Sequence, residues 1–271
     1  YYLVSAAATQ THDLAWLQHW GIVRAEVAID GGLLVIDGTR LRNDLVDADN
    51  LERIGQTMLG SRLAHGIFMT GGFFLGPRDF YERLRTMPPQ ELAKIDMTRI
   101  DFINQLYGQG DLKRAQRRKG RFMNSTMIVT LLGAACSDAL ESGQVVSGVG
   151  GQYNFVAMSH ALPDARLLMM LRATHDNQDG LKSSIVWSYG HITIPRHLRD
   201  IVVTEYGVAD LRGQPDREVI ERLIAVADSR FQNDLVRDAI AQGKLPHGYM
   251  VPERYRSNLP QALEAKLHPW A

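Results

Sequence analysis

Cysteine is nearly absent: the 271 residues hold one, Cys136. A single thiol excludes an intrachain disulfide and fits a reducing, cytoplasmic compartment. Long apolar runs are missing too. No stretch approaches the ~18 residues of a membrane-spanning helix, so no membrane partner is expected. Neither charge is in excess: Lys plus Arg and Asp plus Glu each number 30, for a formal net charge of zero. Binding nucleic acid through its phosphates generally leaves a basic surplus, so nucleic acid is excluded as the main partner. HExxH, CxxC and tight His/Asp clusters do not occur, so no metal site is expected. G-x-S-x-G is also lacking, which argues against a serine nucleophile elbow. The opening YYLVSAAATQ has neither an initiating Met nor the basic-then-apolar pattern of a signal peptide, and we expect it to lie inside a longer protein.

What is present is a chain with 45% hydrophobic and 22% charged residues, the balance of a soluble globular protein with a sizeable core. Before residue 95 the texture is mixed. A short helix is expected over residues 12–20 and a longer one over 47–63. AEVAIDGGLLVIDG (residues 25–38) reads as a hairpin turning at Asp30-Gly31-Gly32. A short helix follows Pro77, and Pro88-Pro89 breaks the chain, so a domain boundary is placed at 95/96. Beyond it, strand candidates alternate with helices. The strands are IDFIN (100–104), RFMNSTMIVTLLG (121–133), GQVVSG (143–148), RLLMMLR (166–172), SSIVWSY (183–189) and DIVVTEYG (200–207). Helices are expected over 155–162, 216–226 and 231–242. Apolar strands between helices predict an α/β fold with an open, largely parallel sheet flanked by helices.

SGVGGQYNF (residues 147–155) places three glycines, Gly148, Gly150 and Gly151, before an expected helix. It lacks the third glycine of G-x-G-x-x-G and the Gly-Lys-Ser/Thr of a P-loop. Free backbone N–H groups at a helix N-terminus suit an oxyanion or carboxylate; a ligand-free turn is the other reading. In VTEYGVADLRG (203–213), Glu205 ends a strand, where ligands bind in open α/β sheets. It could act as nucleophile, base or orienting partner, or simply as an ion-paired acid. Asn104 offers an amide donor or a helix cap. KRAQRRKGR (113–121) reads as a phosphate site or a solvated helix face. Arg196 and Arg199 of HITIPRHLRD could meet a carboxylate or phosphate, or form structural salt bridges. Cys136, in the run GAAC, reads as a small core residue.

Taken together, SGVGGQYNFV and VVTEYGVADLRG, in this order and spacing, resemble the C-terminal domain of the acetyl-CoA hydrolase/acetyl-CoA transferase family, class I CoA-transferases. FINQLYG, MNSTMIVTLLGAACSD and ADSRFQNDL add to the resemblance, which covers roughly residues 96–260; GGFFLGPRDFYERL is similar to a longer bacterial subgroup. The resemblance implies a CoA-transferase-like fold of the type shared with sugar-phosphate isomerases. It also implies an acyl-CoA hydrolase or CoA-transferase of acetate metabolism that works through a glutamyl-CoA thioester. Gly148, Val149, Gly150, Gly151 and Gln152 would form the oxyanion and acyl-CoA loop, Asn104 would bond near the reacting carbonyl, and Glu205 would be the orienting acid. No permanent cofactor is implied: coenzyme A enters as substrate, with acyl-CoA and a small carboxylic acid as partners and a homodimer as the assembly. The family's nucleophilic glutamate motif has no counterpart here. Glu26, before Val-Ala-Ile-Asp-Gly, is only a superficial echo of it. Residues 1–95 are therefore expected to be the remnant of a preceding region, and residues 96–271 the CoA-transferase domain, unable to turn over alone. The alternatives are a non-catalytic acyl-CoA binding module of the same fold and a sugar-phosphate isomerase-like domain.

Overall fold

The computed structural model describes residues 67–72, 76–108, 110–177 and 179–268, three short strands between residues 27 and 42, and helical positions at 48, 49, 52 and 56. The expected helix over 12–20 and Glu26 lie outside the described residues. The chain divides into two compact units, Tyr1–Gln116 and Arg117–Ala271.

In the first unit, β1 (Val27–Asp30), β2 (Leu33–Ile36) and β3 (Thr39–Arg42) form an antiparallel meander. Asp30 pairs with Leu33, so the hairpin turns where Asp-Gly-Gly places it. The four helical positions fall within the helix expected over 47–63. β4 (Met69–Gly71) and β5 (Ile95–Met97) pair in parallel. Between them run α1 (Arg78–Thr86) and α2 (Pro89–Leu92). IDFIN is a helix, α3 (Ile100–Asn104), and not the strand its apolar residues suggest. The spacing of three between Ile100 and Ile103 explains why: helical geometry brings both side chains over Gly72, where a Cβ would stand 2.6 Å from one and 3.3 Å from the other. α4 (Gly110–Gln116) completes the unit.

The second unit is built on a four-stranded sheet. β6 (Arg121–Ser125), β9 (Arg166–Met170) and β13 (Ile201–Thr204) are parallel neighbours, and β14 (Gly207–Asp210) closes one edge antiparallel to β13. The register aligns Asn124 with Met169 and Met169 with Val202. α5 (Gln152–Ala161) packs on β6 and β9, and Phe155 meets Phe122 edge-to-face at 5.8 Å. Along β9, Leu167 and Met169 are fully buried while Arg166, Leu168 and Met170 are half-buried, so this apolar strand favours one face.

A second sheet joins β7 (Ile128–Thr130), β8 (Ala135–Cys136) and β12 (Ile185–Val186), with β12 parallel to β7. The stretch 121–133 is therefore two strands in two sheets. The chain changes sheet at Thr126, whose buried hydroxyl donates to the Cys136 carbonyl at 2.7 Å. GQVVSG is a loop with one bridge, Ala139 to Val145, because Gly143 at φ +84° leaves the apolar pair too little extended chain. SSIVWSY is strand only at Ser183, the last residue of β11 (Gly180–Ser183), which forms a hairpin with β10 (Thr174–Asn177), and at Ile185-Val186. α6 (Asp216–Ala225) buries Val219, Ile220, Leu223 and Ile224, and α7 (Ser229–Ala241) is capped by Asp228. α8 (Pro260–Leu267) follows. The result is an α/β unit whose main sheet is mostly parallel, as the sequence predicts.

Candidate active site

Three parallel strands deliver their carboxyl ends to one edge of the main sheet: Ser125 from β6, Met170 from β9 and Thr204 from β13. Neighbouring strands stand ~4.8 Å apart, so groups just beyond these ends share a small region. Glu205 follows β13 directly and occupies, with Tyr206, the two-residue turn into β14. Its Oε2 accepts the N–H of Ala173, just past β9, at 2.8 Å. Among the described residues the carboxylate is thus oriented by backbone, not by a cation.

The turn is anchored from below. The Thr204 hydroxyl donates to the Val226 carbonyl at 2.7 Å and accepts the Tyr206 N–H at 3.1 Å. The Tyr206 hydroxyl donates to Asp228 at 3.0 Å. Asp228 is fully buried and receives the Arg230 guanidinium through two bonds of 2.8 and 2.7 Å. Burial pushes the Asp228 carboxyl up, but the bonds from Arg230 and Tyr206 outweigh it and hold the carboxyl below its ordinary value. Burial, then the bond to Asp228, raises the Tyr206 hydroxyl, so it stays protonated.

A cleft of about 700 Å³ opens beside Glu205. Its walls include Thr126, Arg172, His175, Ser184, Tyr189 and Glu205. His175 meets the Ser184 hydroxyl at 3.1 Å. The sequence-predicted residues around it fall as follows. The glycine loop precedes α5, as expected, but follows a loop and not a strand. Gly148 and Gly150 are exposed, and Gly150 takes φ +60°. Gln152, the first residue of α5, is buried and donates its side-chain amide to the Ser125 carbonyl at 2.9 Å, which ties the loop to the carboxyl end of β6. The loop residues do not line the Glu205 cleft. Asn104 is buried at the end of α3, in the first unit.

One residue of this edge was not singled out from the sequence. Asn124, in β6, has a buried side-chain Nδ2 without a partner among the described residues, and buried Gln152 Oε1 lacks one there as well. Asn124 shares its rung with Met169, whose sulfur lies 3.5 Å from Gln152 Nε2, so both amides belong to the α5 side of the sheet. A buried amide donor left without an acceptor costs about 1–3 kcal/mol. The only signal in sequence was an Asn at a strand position in MNST.

Arg196, Arg199 and Lys113 have structural uses. Arg196 and Arg199 both reach Asp216, at 3.4 and 3.5 Å, with Lys244 at 3.1 Å. Lys113, buried, donates to the Gln105 and Tyr107 carbonyls, so the basic run is not wholly a solvated face. Cys136 is buried, its thiol 3.1 Å from the Ala139 carbonyl. Among the described residues no cluster of His, Cys, Asp and Glu could hold a metal ion, and no helix is long and apolar enough to cross a membrane.

Comparison with known proteins places this geometry. A family profile described as "Acetyl-CoA hydrolase/transferase C-terminal domain" matches residues 76–239. The succinyl-CoA:cyclohexane-1-carboxylate CoA transferase of Geobacter metallireducens is 32% identical over 170 residues, covering 62% of this chain and 36% of that protein. The 4-hydroxybutyrate coenzyme A transferase of Clostridium kluyveri is 26% identical over 167 residues, covering 61% of this chain and 36% of that protein. The crystal structure of RipA from Yersinia pestis superposes with a TM-score of 0.52 at 26% identity, over 65% of this chain and 37% of RipA. The chain thus spans little more than a third of the length of these relatives.

Proposed function

The chain belongs to the acetyl-CoA hydrolase/transferase family, and from that premise we propose that it supplies the C-terminal part of a site that transfers coenzyme A between carboxylic acids or hydrolyses the thioester. The observation that carries the reading is Glu205: a carboxylate at the carboxyl edge of a parallel sheet, fixed by the Ala173 N–H and facing an open cleft.

The chemistry we propose runs through a glutamate contributed from upstream of this chain. Its carboxylate attacks the thioester carbonyl and expels coenzyme A as thiolate, leaving an acyl-glutamyl anhydride. The thiolate then attacks the glutamyl carbonyl, releasing the first acid and leaving a glutamyl-CoA thioester. A second acid reverses the sequence in a transferase; water cleaves the thioester in a hydrolase. Each attack places negative charge on a carbonyl oxygen. In our reading the N–H groups of the loop from Gly148 to Gly151 and the unpartnered Asn124 amide donate to that oxygen. Glu205 orients the reacting groups. Asn104 is the alternative amide; Asn124 is favoured because its donor has no partner in its own unit. We keep residues 96–271 as the functional domain. Coenzyme A comes and goes as substrate, a small carboxylic acid is the second partner, and a cytoplasmic homodimer serving bacterial acetate metabolism is the expected setting.

The absent glutamate motif favours one other reading, a binding module that kept the fold and lost the nucleophile. Both are tested on the longer protein we propose this chain is part of, given acetyl-CoA with and without propionate. A propionyl-CoA product indicates a transferase, and free CoA alone a hydrolase. Saturable acyl-CoA binding with neither product would replace the enzyme reading with the binding module.

A further inference from the structure

Ala173 is fully buried just past β9, and its backbone is used on both sides. Its N–H holds the Glu205 carboxylate at 2.8 Å, and its carbonyl accepts the Ser184 N–H at 2.9 Å. Ser184 is buried too, and its hydroxyl meets His175 Nδ1 at 3.1 Å. His175 stands two positions beyond Ala173, about 7 Å along an extended chain. Glu205, Ser184 and His175 all line the same cleft. One buried residue thus fixes a carboxylate and a serine–histidine pair around a single space. With Nδ1–H donating to the buried hydroxyl, the imidazole carries its lone pair on Nε2.

Exchange of coenzyme A between two acids moves no proton. A carboxylate attacks and a thiolate leaves; the thiolate then attacks and a carboxylate leaves. Hydrolysis differs, because water must lose a proton as it attacks. Imidazole is the commonest general base, and His175 is the one histidine among the described residues of this wall. The other ionisable groups there suit the task less. Arg172 is a permanent cation. Burial raises the Tyr189 hydroxyl, which keeps it protonated. Glu205 has one oxygen committed to the Ala173 N–H, and Asp176 is a second carboxylate.

We propose that His175 is the general base that activates water, and therefore that this site hydrolyses the thioester in addition to exchanging acids. The inference rests on the proposed function, because it takes the glutamyl-CoA thioester to form at the Glu205 cleft. The oxygen of water bonds to the glutamyl carbonyl carbon while Nε2 takes one of its protons. The carbon–sulfur bond then breaks, coenzyme A leaves as thiolate, and the imidazolium returns the proton to that sulfur. The glutamate emerges as the carboxylic acid and loses its proton to solvent. Ser184 is a positioning residue, which holds the imidazole through Nδ1.

The test uses the longer protein we propose this chain is part of, as wild type, His175→Asn, His175→Gln and Ser184→Ala, with circular dichroism to check the fold. Two rates are measured on acetyl-CoA: release of free coenzyme A, and exchange of carbon-13 acetate into the thioester. H175N keeps an amide where Nδ1 stood and loses only Nε2; H175Q decides by the same criteria if H175N does not fold. We expect both rates in wild type. H175N and H175Q should lower the ratio of hydrolysis to exchange about 100-fold, the ordinary contribution of a general base. S184A should lower it less than about tenfold, since the base remains but is less well held. Three outcomes overturn the proposal: an unchanged ratio in the folded His175 variants, an equal loss of both rates in them, which would make His175 structural, or a fall in S184A as deep as in H175N, which would make Ser184 a nucleophile. Exchange without hydrolysis in wild type sinks this inference alone. The absence of both rates in wild type sinks the proposed function with it.

Discussion

A Cβ added at Gly148 would meet no heavy atom within 4 Å, and the same holds at Gly150, yet only Gly150 has a positive φ, +60°. The two glycines therefore answer to different demands. Gly150 is required by its own backbone, and Gly150→Ala should cost about 1–2 kcal/mol in a urea melt through left-handed strain alone. Nothing in the chain demands glycine at 148. Gly148→Ala should leave stability unchanged or slightly higher, while lowering kcat/KM for acyl-CoA if a thioester approaches that backbone. A variant with full activity would reduce this glycine to a plain turn. Asn124 makes a matching residue-scale prediction. Asn124→Ala should lower kcat about 100- to 1000-fold, the usual effect of removing one oxyanion donor, and Asn104→Ala should do less. The reverse order, measured by steady-state kinetics, would move the donor to α3. Glu205 and the glycines stand out in the sequence because each sits in an unusual local pattern. Asn124 was hidden because an asparagine inside an apolar strand has no local signature; only the buried, unsatisfied Nδ2 exposes it.

At the scale of elements, the turn from β13 to β14 depends on α7. Asp228 caps that helix, grips Arg230 and accepts from Tyr206, beside Glu205. Asp228→Ala removes a cap and a buried charge at once and should cost about 2–4 kcal/mol. Tyr206→Phe deletes one hydrogen bond and should cost about 1 kcal/mol, but should also disturb Glu205 and so lower kcat more than stability. The sign of the pH effect follows from the depressed Asp228 carboxyl. Its folded-state value lies below its unfolded one, so its stabilisation is complete above about pH 4 and fades as pH falls further. Urea midpoints recorded from pH 6 to 3 should fall more steeply for wild type than for Asp228→Asn; parallel curves would show that Asp228 contributes nothing to acid unfolding. The elements themselves were readable where apolar runs are long and bounded, as in β9, β13, α6 and α7. They were unreadable in THDN and GLKS, polar strands that a hairpin partner stabilises, and misleading in IDFIN, where an i,i+3 isoleucine pair over Gly72 turns a strand-like run into a helix.

At the scale of the whole molecule, the parallel order β6, β9, β13 explains why residues 125, 173 and 205 converge although they are up to 80 positions apart in sequence. Alternating strands and helices made the sheet type predictable; the split of residues 121–133 between two sheets was not, since it depends on the buried Thr126 hydroxyl reaching Cys136. The family match over residues 76–239 and the missing glutamate motif together lead us to expect no turnover from these 271 residues alone. The most direct test of the account is exchange of carbon-13 acetate into acetyl-CoA, followed by mass spectrometry, in the longer protein we propose this chain is part of, as wild type and Glu205→Gln. We predict measurable exchange in wild type and a loss of at least 100-fold in the variant, with the fold intact. Exchange at the wild-type rate in Glu205→Gln would contradict the role given to this carboxylate and the site built around it.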